Sequence, residues 1–241
     1  MNPTNPLFLE DAYIRDAKGT VRSHTPEGGI VLDESIFYAT SGGQPGDSGK
    51  LVWDGGQIEI ATCVKGEGGG LILVPAEPAA LPPLGAELMQ HLEWDRRHRH
   101  MRVHTALHLL SVAIPLPVTG GSITAEKGRL DFDMPDAPED KAQIEATLND
   151  LVAADYPVTD SWITDRELAE NPQLIKTMSV KPPVGAGFVR LVRIGDEVSQ
   201  IDLQPCGGTH VASTGEVGPL RLGKIEKKGR QNRRVSVFLD T

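Results

Sequence analysis

Apolar and polar residues alternate with the period of β-strands over the first third of the chain. Short runs rich in β-branched and aliphatic residues are separated by turn clusters such as TSGGQPGDSG and KGEGGG. These runs are GGIVLDESIFYA, GKLVW, QIEIATCV, GLILVPA and GAELMQHLEW. Strands at this short, regular spacing predict a small antiparallel barrel or sandwich over residues 1–93.

After the segment LEWD the hydrophobic period changes from two residues to about 3.6, which predicts a helix. Apolar residues then recur on one side of that helix, at Val103, Leu107, Leu110 and Ile114. Pro115 and the proline two residues later end the helix, since proline cannot continue it. The change of period places a domain boundary near residue 93.

The remainder of the chain mixes strand and helix patterns. A second helix is predicted in APEDKAQIEATLNDLVAA, where one face carries Ile144, Leu148, Leu151 and Val152. Strands are predicted in GRLDFDM, YPVTDSWIT, GFVRLVRI, VSQIDL, GPLRLGKIEK and RRVSVFLD. We therefore expect an α+β protein, with a glycine-rich barrel-like domain at 1–93 and an α+β domain at 94–241.

Composition indicates an ordinary globular protein, with 39% hydrophobic residues and two cysteines, Cys63 and Cys206. Two cysteines are too few for a disulfide framework. The sequence contains neither an apolar run long enough to span a membrane nor the basic start of a signal peptide. We therefore expect a cytoplasmic protein without a membrane partner. The net charge is −9, yet segments 95–104 and 221–234 are basic. Such segments are usually solvated faces, but they could also hold a polyanion through local charge.

Four of the seven histidines lie in the stretch RHRHMRVHTALHLL. His104 and His108 are four residues apart, so both can face one ion, and His100 continues the same spacing. His100 and His108 are about 12 Å apart along a helix, so an ion would take His104 with only one of them.

A second cluster of metal-binding residue types lies in the loop sequence PCGGTH, which contains Cys206 and His210. Its two glycines favour a tight loop over a helix. Two helix histidines with a cysteine and a histidine from a loop form a donor set that suits Zn²⁺. The plainer alternative is a buried thiol with unconnected histidines.

Three segments are similar to segments of a known protein family: RVHTALHLL, CGGTHVASTGEVG and, near the start, FYATSGGQPGDSG. In order and separation they resemble the editing domain of alanyl-tRNA synthetase. The chain as a whole is similar to the free-standing AlaX family of trans-editing proteins, in its medium-length type. The resemblance implies four zinc ligands, namely His104, His108, Cys206 and His210. It leaves His98 and His100 as surface or RNA-facing residues, and Leu107 stands where synthetases often have threonine.

The resemblance also implies a function, the hydrolysis of the aminoacyl ester of mischarged alanine tRNA, with seryl-tRNA and glycyl-tRNA as candidate substrates. The implied partner is the acceptor end of that tRNA, with no protein partner expected. Substrate contacts would come from the GGSIT segment and the glycine-rich loop, through Ser122, Thr124 and Gln44. Basic residues would contact phosphates without reading bases: Arg96, Arg97, Arg99, Lys227, Lys228 and Arg230.

The sequence leaves the chemistry of the zinc open. Four protein ligands fill a tetrahedron, as in structural sites, so zinc could activate a water only through a displaced ligand or a fifth position, or could anchor the substrate instead. No general base is evident beyond the zinc site, and Asp202 is as easily a turn or salt-bridge residue. A zinc-stabilised RNA-binding module without catalysis is therefore the alternative function. A hydrolase of another substrate ranks last, because the helix lacks the glutamate of the HExxH motif.

Overall fold

The computed structural model describes residues 3–138, 140–177 and 187–240. The chain divides into two compact units, Met1–Arg99 and His100–Thr241. The division falls inside helix α1, Trp94–Ala113, which begins in the first unit and continues into the second. The sequence placed the boundary just before this helix, at residue 93.

The first unit is built from short strands. They are β1 Asn5–Pro6, β2 Asp16–His24, β3 Ile30–Leu32, β4 Glu34–Ser35, β5 Gly49–Trp53, β6 Gly56–Lys65, β7 Leu71–Pro75 and β8 Glu87–Leu92. Strands β2, β3, β7, β6, β5 and β8 close in that order into an antiparallel barrel, and β1 pairs in parallel with β4. The predicted barrel is confirmed.

Alternating residues of these strands fill the barrel core, because successive side chains of a strand point to opposite faces. Ile30, Leu51 and Leu73 are fully buried, and so is Cys63, as expected for a core cysteine. Strand β2 was not predicted. Its sequence, DAKGTVRSH, contains a single well-buried apolar residue, Val21, so it gives no hydrophobic signal.

The glycine-rich segment between β4 and β5 contains a tight turn. Gly42 and Gly43 have φ angles of 57° and 85° and lie between Ser41 and Gln44, whose backbones exchange two hydrogen bonds. A two-residue hairpin turn of this kind requires two positive φ angles in succession, which glycine adopts without strain. Further along, a Cβ at Gly46 would lie 2.1 Å from the Cys63 carbonyl oxygen, so the loop packs closely against β6.

The second unit continues with two small sheets and further helices. Its elements after α1 are β9 Val118–Ile123, β10 Lys127–Asp133, α2 Lys141–Ala153, β11 Val158–Thr164, α3 Asp165–Glu170, β12 Phe188–Gly195, β13 Gln200–Pro205, β14 Leu220–Lys227 and β15 Asn232–Leu239. One antiparallel sheet has the order β14-β15-β10-β9, and the other has the order β11-β12-β13. The expected α+β class is therefore confirmed.

From His100 onward, helix α1 belongs to this unit. The predicted apolar stripe is buried, with Val103, Leu107, Leu110 and Ile114 each at most 5% exposed. Strand β10 approaches the helix so closely that a Cβ at Gly128 would lie 2.8 Å from Val103 and 2.9 Å from Leu107. None of the helices in the described ranges combines the length and the apolar character needed to cross a membrane.

The short helix α3 was not predicted, although its capping box is visible in the sequence. Thr164 accepts a hydrogen bond from the Glu167 backbone N–H, and the Glu167 carboxylate accepts one from the Thr164 backbone N–H. This reciprocal pair satisfies two donors that the start of a helix otherwise leaves unpaired.

Candidate metal centre

Two segments of the second unit bring four metal-binding side chains together. His104 and His108 project from α1, and Cys206 and His210 project from the loop that follows β13. One donor atom from each lies within 4.8 Å of the other three. The Cys206 Sγ lies 3.5 Å from His104 Nε2 and 3.3 Å from His210 Nε2. A tetrahedral zinc site spaces its donor atoms by about 3.3–3.8 Å, so the cluster could hold a metal ion of that kind.

Helix spacing allowed His104 to share an ion with either His100 or His108, and the structure places it beside His108. His100 is outside the cluster and is 2% exposed, so its expected surface position is corrected. Spacing along a helix does not reveal which side other elements cover. His98 is half-buried, and its ring stacks on Trp94 with centroids 5.3 Å apart.

Hydrogen bonds orient two of the histidines by their outer ring nitrogens. The Nδ1–H of His108 donates to Asp202 Oδ2 at 2.8 Å, and the Nδ1–H of His210 donates to Thr105 Oγ1 at 3.1 Å. A proton on Nδ1 leaves the lone pair of Nε2 available on the opposite edge of the ring. In both rings Nε2 is therefore the nitrogen that can bind a metal ion once it carries no proton.

The loop that contains Cys206 is fixed to the neighbouring strand by Arg190. The guanidinium of Arg190 donates to the carbonyl oxygens of Cys206 and Gly208, at 3.3 Å and 2.9 Å. The Cys206 N–H donates in turn to the Arg190 carbonyl at 3.1 Å. Asp160 forms an ion pair with the same guanidinium at 3.3 Å. These contacts hold the backbone of the loop on either side of Gly207.

The electrostatics of the cluster favour a thiolate at Cys206. Burial would raise the pKa of this thiol, but the imidazoles of His104 and His210 hold it well below its usual value. Burial likewise would lower the pKa of His108, yet hydrogen bonds to Asp202 and Cys206 raise it to about 9. Burial, with the neighbouring His104, lowers the pKa of His210 to about 3. With a pKa of about 9, His108 carries a proton on both ring nitrogens near neutral pH, so it must lose the proton on Nε2 before it can bind a metal ion. Metal uptake therefore releases that proton.

Access to the cluster is uneven. The three histidines are 6–9% exposed, whereas Cys206 is half-buried. The neighbouring Gly207 is exposed, and a Cβ there would have no heavy atom within 4 Å. The side of the cluster formed by the cysteine loop is thus its open side.

The predicted substrate contacts in the GGSIT segment are not brought to this cluster. Ser122 pairs with Arg129, whereas the adjacent Gly128 faces helix α1, so Ser122 lies on the opposite face of the sheet. The Thr124 hydroxyl bonds to the backbone of Lys127 and stabilises the exposed β9–β10 turn. Their substrate role has no support from these positions.

The third predicted substrate contact, Gln44, is fully buried in the first unit. Arg97 in the same unit is also fully buried: its guanidinium binds both carboxylate oxygens of Asp47 and the carbonyls of Ala12 and Ile36. A side chain so engaged cannot reach a phosphate, so the RNA-contact prediction for Arg97 is corrected.

The other predicted RNA contacts are nearer the surface. Arg96 is half-buried and donates to the Gly46 carbonyl at 2.8 Å and to Ser48 Oγ at 3.0 Å. Arg99 is exposed. Lys227, Lys228 and Arg230 are exposed at the β14–β15 hairpin, where Lys228 forms an ion pair with Glu226.

Of the residues that support the ligands, only Asp202 was named from the sequence, as a turn or salt-bridge residue, and the structure shows it paired with His108 and Lys176. Asp202, Gln204 and Cys206 alternate along β13 and its end, a pattern that puts all three on one face and could have drawn attention to the first two. Thr105 and Lys176 carry no such signal. Lys176 is distant in sequence from every ligand, and only tertiary packing brings its Nζ to Asp202.

The chain is similar in sequence to known families and proteins. A family model described as "Threonyl and Alanyl tRNA synthetase second additional domain" matches residues 189–236, and "tRNA synthetases class II (A)" matches residues 13–94. The "Alanyl-tRNA editing protein AlaX-M" of Methanosarcina acetivorans is 33% identical, over 96% of this chain and 97% of that protein. The protein of the same name from Pyrococcus horikoshii is 30% identical over 100% of both chains.

A longer relative is the "Alanine--tRNA ligase" of Pyrobaculum arsenaticum, which is 34% identical over 93% of this chain but only 25% of its own length. Sequence similarity that covers nearly the whole of this chain is thus found both in proteins of similar length and in one quarter of a longer ligase. The chain belongs to the AlaX-M family of alanyl-tRNA editing proteins.

Proposed function

We propose that this protein is a zinc-dependent deacylase that hydrolyses the aminoacyl ester of mischarged alanine tRNA, with seryl-tRNA and glycyl-tRNA as its substrates. The observation that carries the proposal is the convergence of His104, His108, Cys206 and His210, whose donor atoms lie within 4.8 Å of one another. The names of the full-length relatives support the tRNA substrate. We place this activity in the cytoplasm, where aminoacyl-tRNA is used.

The donor set supports zinc as the ion. One thiolate and three imidazoles combine a soft ligand with borderline ligands, a set that favours Zn²⁺ over Mg²⁺ or Ca²⁺, which prefer oxygen. A zinc ion bound there would polarise the ester carbonyl or lower the pKa of a water molecule.

Neighbouring residues of the chain position the proposed metal ligands and leave one side of the cluster accessible. Asp202 and Thr105 orient the rings of His108 and His210, and Arg190 orients the cysteine loop. The three buried histidines exclude bulk water from one side, and the half-buried Cys206 next to Gly207 leaves the other side open to an acceptor end. Exposed cations, namely Arg99, Lys227, Lys228 and Arg230, are the proposed partners of RNA phosphates.

The similarity of serine to alanine explains why such an activity is useful. Serine is alanine with an added hydroxyl, and a small apolar pocket rejects such an analogue poorly. A second, hydrolytic site that accepts the wrong amino acid then adds selectivity.

The proposal is tested with alanine-specific tRNA charged with serine, glycine or alanine. We expect rapid loss of the seryl and glycyl esters and survival of the alanyl ester, which serves as the matched control. A chelator should stop the reaction and added Zn²⁺ should restore it, because the ion is required for the chemistry.

A second candidate function is favoured by the four protein donors, since a filled tetrahedron is typical of structural zinc. In that case the protein would bind tRNA tightly, and all three esters would survive at the rate of uncatalysed hydrolysis. This result would contradict the deacylase proposal.

A further inference from the structure

We propose that Asp202, held by Lys176 and Gln204, is a positioning residue that sets the metal affinity of the cluster by fixing the ring of His108. This inference rests on the metal-dependent function proposed above and adds residues outside the ligand set to it. Asp202 acts through His108 and is not itself a ligand.

The first support is the geometry around the Asp202 carboxylate, which is 2% exposed. Its Oδ2 accepts from His108 Nδ1–H at 2.8 Å and from Gln204 Nε2 at 2.7 Å, and its Oδ1 accepts from Lys176 Nζ at 2.5 Å. Both oxygens are therefore engaged, and the carboxylate cannot rotate without losing a bond. It meets His108 on the ring edge away from the metal-facing Nε2.

The second support is the cost of burying the carboxylate. An ionised group removed from water is tolerated only when it is paired and hydrogen-bonded. Asp202 receives such partners from three different segments: α1 supplies His108, β13 supplies Gln204, and the segment before β12 supplies Lys176. Because the pairing satisfies these groups only in one arrangement, it holds the His108 ring in one orientation.

The role of the negative charge can be separated from the role of the volume by Asp202→Asn. An asparagine that offers its oxygen to His108 must turn its NH₂ towards the Lys176 ammonium, where two donors oppose each other. An asparagine turned the other way directs its NH₂ at His108 Nδ1 and stabilises the tautomer with a proton on Nε2. That tautomer has no lone pair for the ion, so metal affinity falls in either case.

The size of the effect follows from known behaviour of groups that orient metal-binding histidines. Loss of such a partner lowers metal affinity by about 10- to 100-fold, which we expect for Asp202→Asn. Lys176→Met removes the clamp but leaves Oδ2 bound to His108 and Gln204, so we expect a smaller loss of about 3- to 10-fold.

The test is a competition titration of the full chain with Zn²⁺ and a chromogenic chelator. Asp202→Asn and Lys176→Met are compared with wild type and with two matched controls of exposed residues, Asp54→Asn and Lys224→Met. Thermal unfolding of each metal-free protein is recorded as well. We expect lower affinity for the two test variants, wild-type affinity for the controls, and a loss of affinity in Lys176→Met that exceeds any change in its metal-free unfolding midpoint.

Affinities of both test variants within twofold of wild type would overturn the inference, whatever their stability. Should Asp202→Asn fail to fold, Lys176→Met decides the question alone. Failure of the deacylase proposal is distinguishable, since it would show as intact seryl esters while the metal affinities still followed the predicted order.

Discussion

The double variant His104→Ala with His108→Ala is expected to lose its metal and, with it, the proposed ester hydrolysis. The change leaves only Cys206 and His210, and two donors do not make a tight zinc site. Elemental analysis after gel filtration should find about one Zn²⁺ per wild-type chain and almost none in the variant.

Two other histidines of the same helix serve as controls for this variant. His98 and His100 lie outside the cluster of four, so His98→Ala and His100→Ala should keep the metal. His98 is the cleaner control, because His100 is buried and its removal also affects packing. Loss of metal from His100→Ala at unchanged fold would show that the ligand assignment is wrong.

The largest expected effect on stability comes from Arg97. Its guanidinium and the Asp47 carboxylate form an ion pair in which both side chains are at most 1% exposed. The Asp47 carboxylate also accepts a hydrogen bond from the Tyr38 N–H at 2.6 Å. Arg97→Met would leave this carboxylate buried without its cation and would remove the guanidinium donor of the Ala12 and Ile36 carbonyls. Removing one partner of a buried pair costs about 3–5 kcal/mol, so we expect that loss in the free energy of unfolding.

Guanidinium denaturation of the full chain measures this loss, with Arg96→Met as the matched control. Arg96 is the adjacent residue, but it is half-buried and donates only to neutral acceptors, so its replacement should cost about 1 kcal/mol. Equal costs for the two variants would refute the importance assigned to the buried pair.

Much of the fold could be predicted because one face of each element is apolar. The strands β5, β6 and β7 and the helices α1 and α2 have periodic hydrophobic positions that match their burial. Strand β2 lacks this pattern, and hydrogen bonds between its backbone and those of β3 and β8 place it in the barrel. Such backbone pairing leaves no hydrophobic signal in the sequence. The burial of His100 and Arg97 depends likewise on what packs against α1, which no local pattern encodes.

Each pair of candidate ligands could be recognised because it lies within one short segment. The spacing left open whether His104 pairs with His100 or His108, and the family resemblance implied the set of four that the structure brings together. The supporting residues Lys176 and Thr105 could not be recognised, because only long-range packing brings them to Asp202 and His210. The substrate contacts Ser122 and Thr124 stay predictions. Hydroxyl residues in a glycine-rich segment are as readily used by a turn, and the structure uses Thr124 in that way.

The most direct test of the central claim is X-ray absorption spectroscopy at the zinc edge of the metal-loaded wild-type protein. We expect a first coordination shell with one sulfur at about 2.3 Å and three nitrogens at about 2.0–2.1 Å, from Cys206 and the three histidines. A shell of oxygen and nitrogen without sulfur would contradict the account, because the ion would then lie outside the cluster formed by helix α1 and the cysteine loop.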